Sequence, residues 1–157
     1  LQKTKDVYNQ RKKFKEIELK EFSILFLIIN NLDVFRKKIE LISEITFSNN
    51  KKNELKKRLI NCLLSEKLSD RKQLNLEDFE EEFKDIINLI ITNAPIKTIH
   101  KNKSEAEIVI MFNEITNEIK KIELRRKIET LEDEVSVNLD ESLYSELLSL
   151  RNQLKEG

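Results

Sequence analysis

Apolar residues fall at helical rather than alternating spacing along almost the whole chain. Residues 20–31 (KEFSILFLIINN) are nearly all apolar between charged flanks, the pattern of a central helix buried on every side. Phe35, Ile39 and Ile42 then recur at helical spacing. Thr46–Asn50 break the pattern, and Ser48 or Asn50 can cap the next helix. This third helix is expected over about 51–66, with Leu55, Leu59, Cys62 and Leu63 as its inner stripe and lysines covering the other face. Beyond a loop or short turn over Ser69–Asn75, Asn75 can cap a helix that opens with Glu77 and Asp78, acids favoured by the positive end of the helix dipole. Its apolar set is Phe79, Phe83, Ile86, Ile87 and Ile90, and it stops before Pro95, because the residue preceding a proline is disfavoured in helical geometry.

Ser104–Glu107 is a capping box of the S-x-x-E kind. It opens a long helix to about residue 134, roughly 45 Å at 1.5 Å per residue. Ile108, Phe112, Ile115, Ile119 and Ile122 form one seam, with spacings of 4, 3, 4 and 3. The same phase next reaches Arg126 and Glu129, so that seam has ended. A new one reads Leu124, Ile128, Leu131 and Val135. The step from 122 to 124 turns the apolar face by roughly 200°, as if the helix left one core and entered another. Ser136–Asn138 turn the chain, and Asn138 or Asp140 caps a last helix to about residue 155. Its seam, Leu143, Leu147, Leu150 and Leu154, matches that of residues 124–135. The expected architecture is all-α: a basic linker over 1–19, a helical bundle over 20–122, and a long helix leading into a C-terminal antiparallel helical hairpin over 123–157.

Two helices alone enclose a very small core, and such pairs are marginal unless something packs on them. The last helix carries a second stripe, Tyr144, Leu148 and Arg151, and the hairpin tip adds Val135, Val137 and Leu139. These six are the expected partner-binding residues. The alternative is that they fold back on the bundle or pair in a homodimer.

Composition sharpens this picture. Glycine occurs once, at Gly157, and proline once, at Pro95, which disfavours β-rich folds that need special turn angles. Basic and acidic residues balance at 29 each, so net charge gives no reason to expect a polyanion, and no direct nucleic-acid site is predicted. Residues 1–19 are locally basic (Lys3, Lys5, Arg11, Lys12, Lys13, Lys15). They read as a solvated linker or frayed helix, or else as a tether that brushes nucleic acid. The single cysteine, Cys62, excludes an intramolecular disulfide and fits a reducing, cytoplasmic setting. The longest apolar run, Phe22 to Ile29, falls far short of the roughly 20 residues that span a bilayer. The chain starts at Leu1 rather than Met, as expected of a fragment or processed product.

Chemistry-bearing residues are sparse, and no catalytic, metal-binding or cofactor-binding residue is expected. His100 has no orienting partner suggested by spacing. Cys62 sits on an apolar stripe, the position of a structural thiol rather than a nucleophile. The acidic run Glu77–Asp85 carries Phe79 and Phe83 four apart, which fits a solvated helix face with core phenylalanines better than a cation site. No glycine-rich phosphate loop, Cys/His set or Asp-x-Asp pair occurs. Lys120–Lys121 and Arg125–Lys127 lie beside acids, which points to charge pairing along the helix.

Several stretches resemble a known family. Glu21–Asn30 (EFSILFLIIN) resembles the opening helix of the C-terminal domain of bacterial (DnaG-type) primases, where an acid precedes an L-L-x-L-L-I-N-like run. Leu32–Phe35 is similar to the short segment next in that family, and Glu44–Ser48 (EITFS) to its L-x-F-S break. Pro95 ahead of a long helix, and the terminal Leu143–Lys155 (LYSELLSLRNQLK), are similar as well. The tryptophan or other aromatic common early in the family's long helix is absent, with Phe112 the nearest. The resemblance covers about residues 20–155. It implies a non-catalytic helicase-binding domain that docks on the N-terminal domains of the hexameric (DnaB-type) replicative helicase, brings primer synthesis to the fork and modulates the helicase. Residues 1–19 would then link to a polymerase core, and the parent protein would be a nucleotidyltransferase. The N-terminal domain of the helicase itself has a similar bundle and hairpin; the position of the hairpin at the chain's end favours primase.

Overall fold

The first helix is much longer than its apolar run. The computed structural model describes residues 2–95, 102–138 and 140–156, and every regular element among them is a helix. Helix α1 spans Gln2–Asn30. Thr4, Lys5, Val7, Tyr8, Arg11, Lys12 and Lys15 are exposed, whereas every residue from Glu21 to Ile29 is buried. The basic segment contains no glycine or proline and is rich in Lys, Gln and Arg, all good helix formers. Extending an existing helix costs far less than starting one, so the packed half carries the polar half. None of the helices is long and apolar enough to cross a membrane.

The chain divides into two compact units, Leu1–Ile115 and Thr116–Gly157. In the first, α1 ends at paired asparagines. The Asn30 and Asn31 amides donate to the carbonyls of Phe26 and Leu27, each at 2.9 Å, and so satisfy acceptors left over at the helix end. The Leu32 amide donates to the Lys72 carbonyl (2.8 Å) and the Leu74 amide to that of Ile29 (2.9 Å), which ties this corner to a distant loop. The helical spacing through Phe35, Ile39 and Ile42 is divided between two five-residue helices, α2 (Leu32–Arg36) and α3 (Ile39–Ser43). Lys38 leaves helical geometry at φ −134°, ψ 34°. Arg36 donates to the carbonyls of Leu68 and Arg71, fastening the end of α2 to the same loop. Phe35 and Ile42 are both fully buried, and the Phe35 ring packs against Phe112 with centroids 5.0 Å apart.

Helix α4 (Asn50–Leu64) buries Leu55, Leu59, Cys62 and Leu63 as its spacing predicts. Its cap is Asn49, whose side chain accepts from the Lys52 amide at 2.9 Å, rather than the expected Ser48 or Asn50. Ser48 is committed elsewhere, to Glu21. Replacing Asn49 by alanine is expected to cost about 1 kcal/mol of stability in urea unfolding; an unchanged midpoint would mean that the cap contributes nothing.

Asn75 does not open the next long helix. It forms a capping box with Asp78 around a 3₁₀ turn, Leu76–Asp78, and α5 begins later, at Glu81–Asn93. Phe79 is buried between the two, and Phe83, Ile86, Ile87 and Ile90 face the core. Ala94, just before Pro95, is extended at φ −61°, ψ 119°, which ends the helix where the sequence predicts. Arg71 grips Asp78 with two bonds (3.1 and 2.7 Å), and the Asn75 amide donates to the same carboxylate at 2.6 Å. The Arg71 hydrogen bonds, ahead of the Asn75 amide, hold the Asp78 carboxyl below its usual range. A lowered folded value stabilises the loop above the ordinary Asp range near pH 4 and loses that effect as pH falls through the folded value. The protection of the Asn75 amide, its exchange rate relative to that of an unfolded chain at the same pH, should therefore persist at pH 4 and fall only at more acid pH. Loss of protection already at pH 5 would contradict the pairing.

Helix α6 (Glu105–Val137) opens on the expected box: the Glu107 amide donates to Ser104 Oγ (3.2 Å) and the Ser104 amide to Glu107 Oε1 (3.4 Å). Its buried positions run through Ile108, Phe112, Ile119 and Ile122, then shift to Ile128 and Leu131. In the second unit α6 meets α7 (Glu141–Glu156). Ile128, Leu131 and Leu147 form the centre of that unit's core, and Leu124, Val135, Leu143, Leu150 and Leu154 pack around it. Ile108 and Phe112 take no part in this cluster.

Candidate interaction surface

The second unit has eight residues in its apolar cluster and only one of them, Leu147, is deeply buried. Helix α7 is set by Asp140, whose carboxylate accepts from both the amide and the hydroxyl of Ser142, each at 2.8 Å. Those two bonds favour the ionised form and lower its pKa. With the helix start fixed, 100° per residue places Tyr144, Leu148 and Arg151 on one flank, beside the Leu143–Leu147–Leu150–Leu154 seam. Tyr144 is 51% and Leu148 42% exposed, and Val137, where α6 ends, is 86% exposed. Arg151 bonds to Glu132 of α6 at 2.8 Å, so its guanidinium bridges the two helices next to Leu148. Val135 is half-buried against the cluster, and Leu139 lies outside the described residues. On the other side of Leu147 the pair is charged: Glu123, Arg126, Lys127 and Glu146 surround the edges of Leu131 and Leu150 in a shallow groove. Apolar exposure on α7 is thus confined to one flank.

The first unit holds a polar cluster that the hydrophobic pattern did not reveal. Glu21 and Lys52, each 2% exposed, form an ion pair at 2.8 Å. Glu21 also accepts from the Ser48 amide (2.7 Å) and hydroxyl (2.5 Å), and the Lys52 ammonium lies 5.1 Å from the centre of the Phe22 ring. The expectation that lysines only cover the outer face of α4 therefore fails at Lys52. A signal was present: 52, 55, 59 and 62 continue the buried stripe backwards in phase, and Glu21 heads an otherwise apolar run.

The remaining candidates are occupied structurally. Cys62 is buried; desolvation raises its thiol pKa, the nearby Arg58 opposes this, and Arg58 Nη1 lies 3.0 Å from the sulfur. A raised pKa and burial are the reverse of what a thiolate nucleophile needs. Four of the six acids of the run form ion pairs, Asp78 with Arg71, Glu80 with Arg58 (2.7 Å), Glu81 with Lys84 (3.1 Å) and Glu82 with Lys51 (3.9 Å). Among the described residues no three His, Cys, Asp or Glu side chains gather as a metal site. His100 lies outside the described residues.

No family model, curated protein or solved structure matches this chain.

Proposed function

We propose that the chain is a non-catalytic docking module, the helicase-binding domain of a bacterial primase, in which a helical bundle is joined by the long helix to an antiparallel helical hairpin. In this reading the hairpin docks on the N-terminal domains of a hexameric replicative helicase in the cytoplasm. It carries primer synthesis, performed by other domains of the parent protein, to the replication fork and modulates the helicase. The observation that carries the reading is the flank of α7: Tyr144 and Leu148 exposed beside Arg151 on a helix pair whose core is minimal. Aromatic, aliphatic and arginine side chains grouped in this way are typical interface anchors.

A second feature supports the resemblance. Two of the stretches that resemble the primase domain, 21–30 and 44–48, meet through the bonds of Ser48 to Glu21, so the acid and the serine have a shared structural reason. A homodimer formed through the same flank is the competing reading, and a helicase N-terminal domain is a second one. Light scattering on the chain alone and mixed with the replicative helicase of the same genome separates them. A monomer that co-elutes with the helicase hexamer is expected. A tight dimer that ignores the helicase would replace docking with self-association.

A further inference from the structure

Several cations of the first unit have acidic partners, among them Lys37 with Glu105, Lys51 with Glu54, Lys52 with Glu21, Arg58 with Glu80 and Arg71 with Asp78. The outer half of α1 instead gathers its cations on one helix with few acids among them. Residues 1–19 hold six basic residues against three acidic ones in a chain whose charges cancel overall. Lys5, Arg11, Lys12 and Lys15 are exposed and make no ion pair with a described carboxylate. At 100° per residue these four fall within about 120° of one another on the helix, and Tyr8 sits in the middle of that arc. Tyr8 is 68% exposed, an aromatic face open to solvent among cations.

The basic face also has a floor. Arg11 and Lys15 line a groove with Glu18 of the same helix and with Ser48, Asn49 and Lys52 at the start of α4. The free amides at the N-terminal end of α4 add positive character there. Glu18 is the one carboxylate in that lining.

We propose that this face of α1 binds single-stranded nucleic acid, the phosphates lying along Lys5, Arg11, Lys12 and Lys15 and a base stacking on Tyr8. Ten residues of helix separate Lys5 from Lys15, about 15 Å, so the four cations line a stretch of strand several nucleotides long. Cations that track a backbone around a stacking aromatic are the two parts of sequence-tolerant single-strand binding. An acidic membrane would use the same cations, but a helix lying on one needs a broad apolar face, and Val7 is the exposed apolar residue described beside Tyr8. The inference is independent of helicase docking, which involves the other unit.

Fluorescence anisotropy of the whole chain with a labelled mixed-sequence 20-nucleotide DNA strand tests it. Four phosphate contacts predict that log Kobs falls against log salt with a slope of about −3. Replacing Lys5, Arg11, Lys12 and Lys15 together by glutamine should weaken binding at least tenfold and flatten the slope. Tyr8→Ala should weaken it about tenfold with little change of slope. These side chains are exposed, so circular dichroism should show wild-type helicity in both variants. The proposal is overturned by no binding at 50 mM salt, by a quadruple variant that binds like wild type, or by binding to phosphatidylserine vesicles without binding to the strand.

Discussion

Glu21→Gln should lower the stability of the chain by about 3–5 kcal/mol, the cost of leaving a buried charge without its counter-ion. Lys52 and Glu21 are both 2% exposed, so solvent cannot screen or rehydrate the ammonium that the substitution strands. The carboxylate moreover serves three donors at once: the Lys52 ammonium, the Ser48 amide and the Ser48 hydroxyl. A glutamine keeps one acceptor oxygen and replaces the other with a donor, so the Ser48 turn loosens together with the ion pair. Urea unfolding should show a lower midpoint with an unchanged slope. The double variant Glu21→Leu/Lys52→Met should recover much of the loss, because a buried ion pair exchanged for apolar groups of similar volume is often neutral or stabilising. A loss under 1 kcal/mol for Glu21→Gln would show that water reaches the pair.

The second large effect concerns docking. Replacing Tyr144, Leu148 and Arg151 together by alanine should weaken helicase binding by about 3 kcal/mol, roughly a 150-fold rise in Kd. Tyr144 and Leu148 are exposed in the free chain, so their removal costs little folding energy. Arg151 also bonds to Glu132, but an exposed pair of that kind is worth only about 0–1 kcal/mol. The variant should therefore remain folded, and loss of binding would report on the surface. Wild-type affinity in a folded triple variant would assign docking to another face.

Much of the fold was legible because helical packing leaves a periodic record. The stripe Leu55–Leu59–Cys62–Leu63, the Ser104–Glu107 box and the matched seams of 124–135 and 143–154 all depend on residues close in sequence, and each stands as its spacing predicts. The features that escaped depend on distant partners. Ser48 looked like a cap, but Glu21 claims it from 27 positions away, and Asn49 takes its place. Lys52 looked like solvent-facing charge because its counter-ion lies 31 positions back. The division of 32–43 into α2 and α3 accompanies the anchoring of Arg36 to carbonyls more than 30 residues ahead. At the candidate surface, spacing alone placed Tyr144, Leu148 and Arg151 on one flank. The same spacing put Val135 in the seam, where it packs, although it was also offered as a partner-binding residue.

Amide hydrogen exchange of the chain, measured alone and with saturating replicative helicase from the same genome, tests the docking account most directly. Docking through the α7 flank predicts slower exchange across residues 141–152 on addition of helicase, with the α4 and α5 amides unchanged. Protection confined to the first unit, or none anywhere, would contradict it.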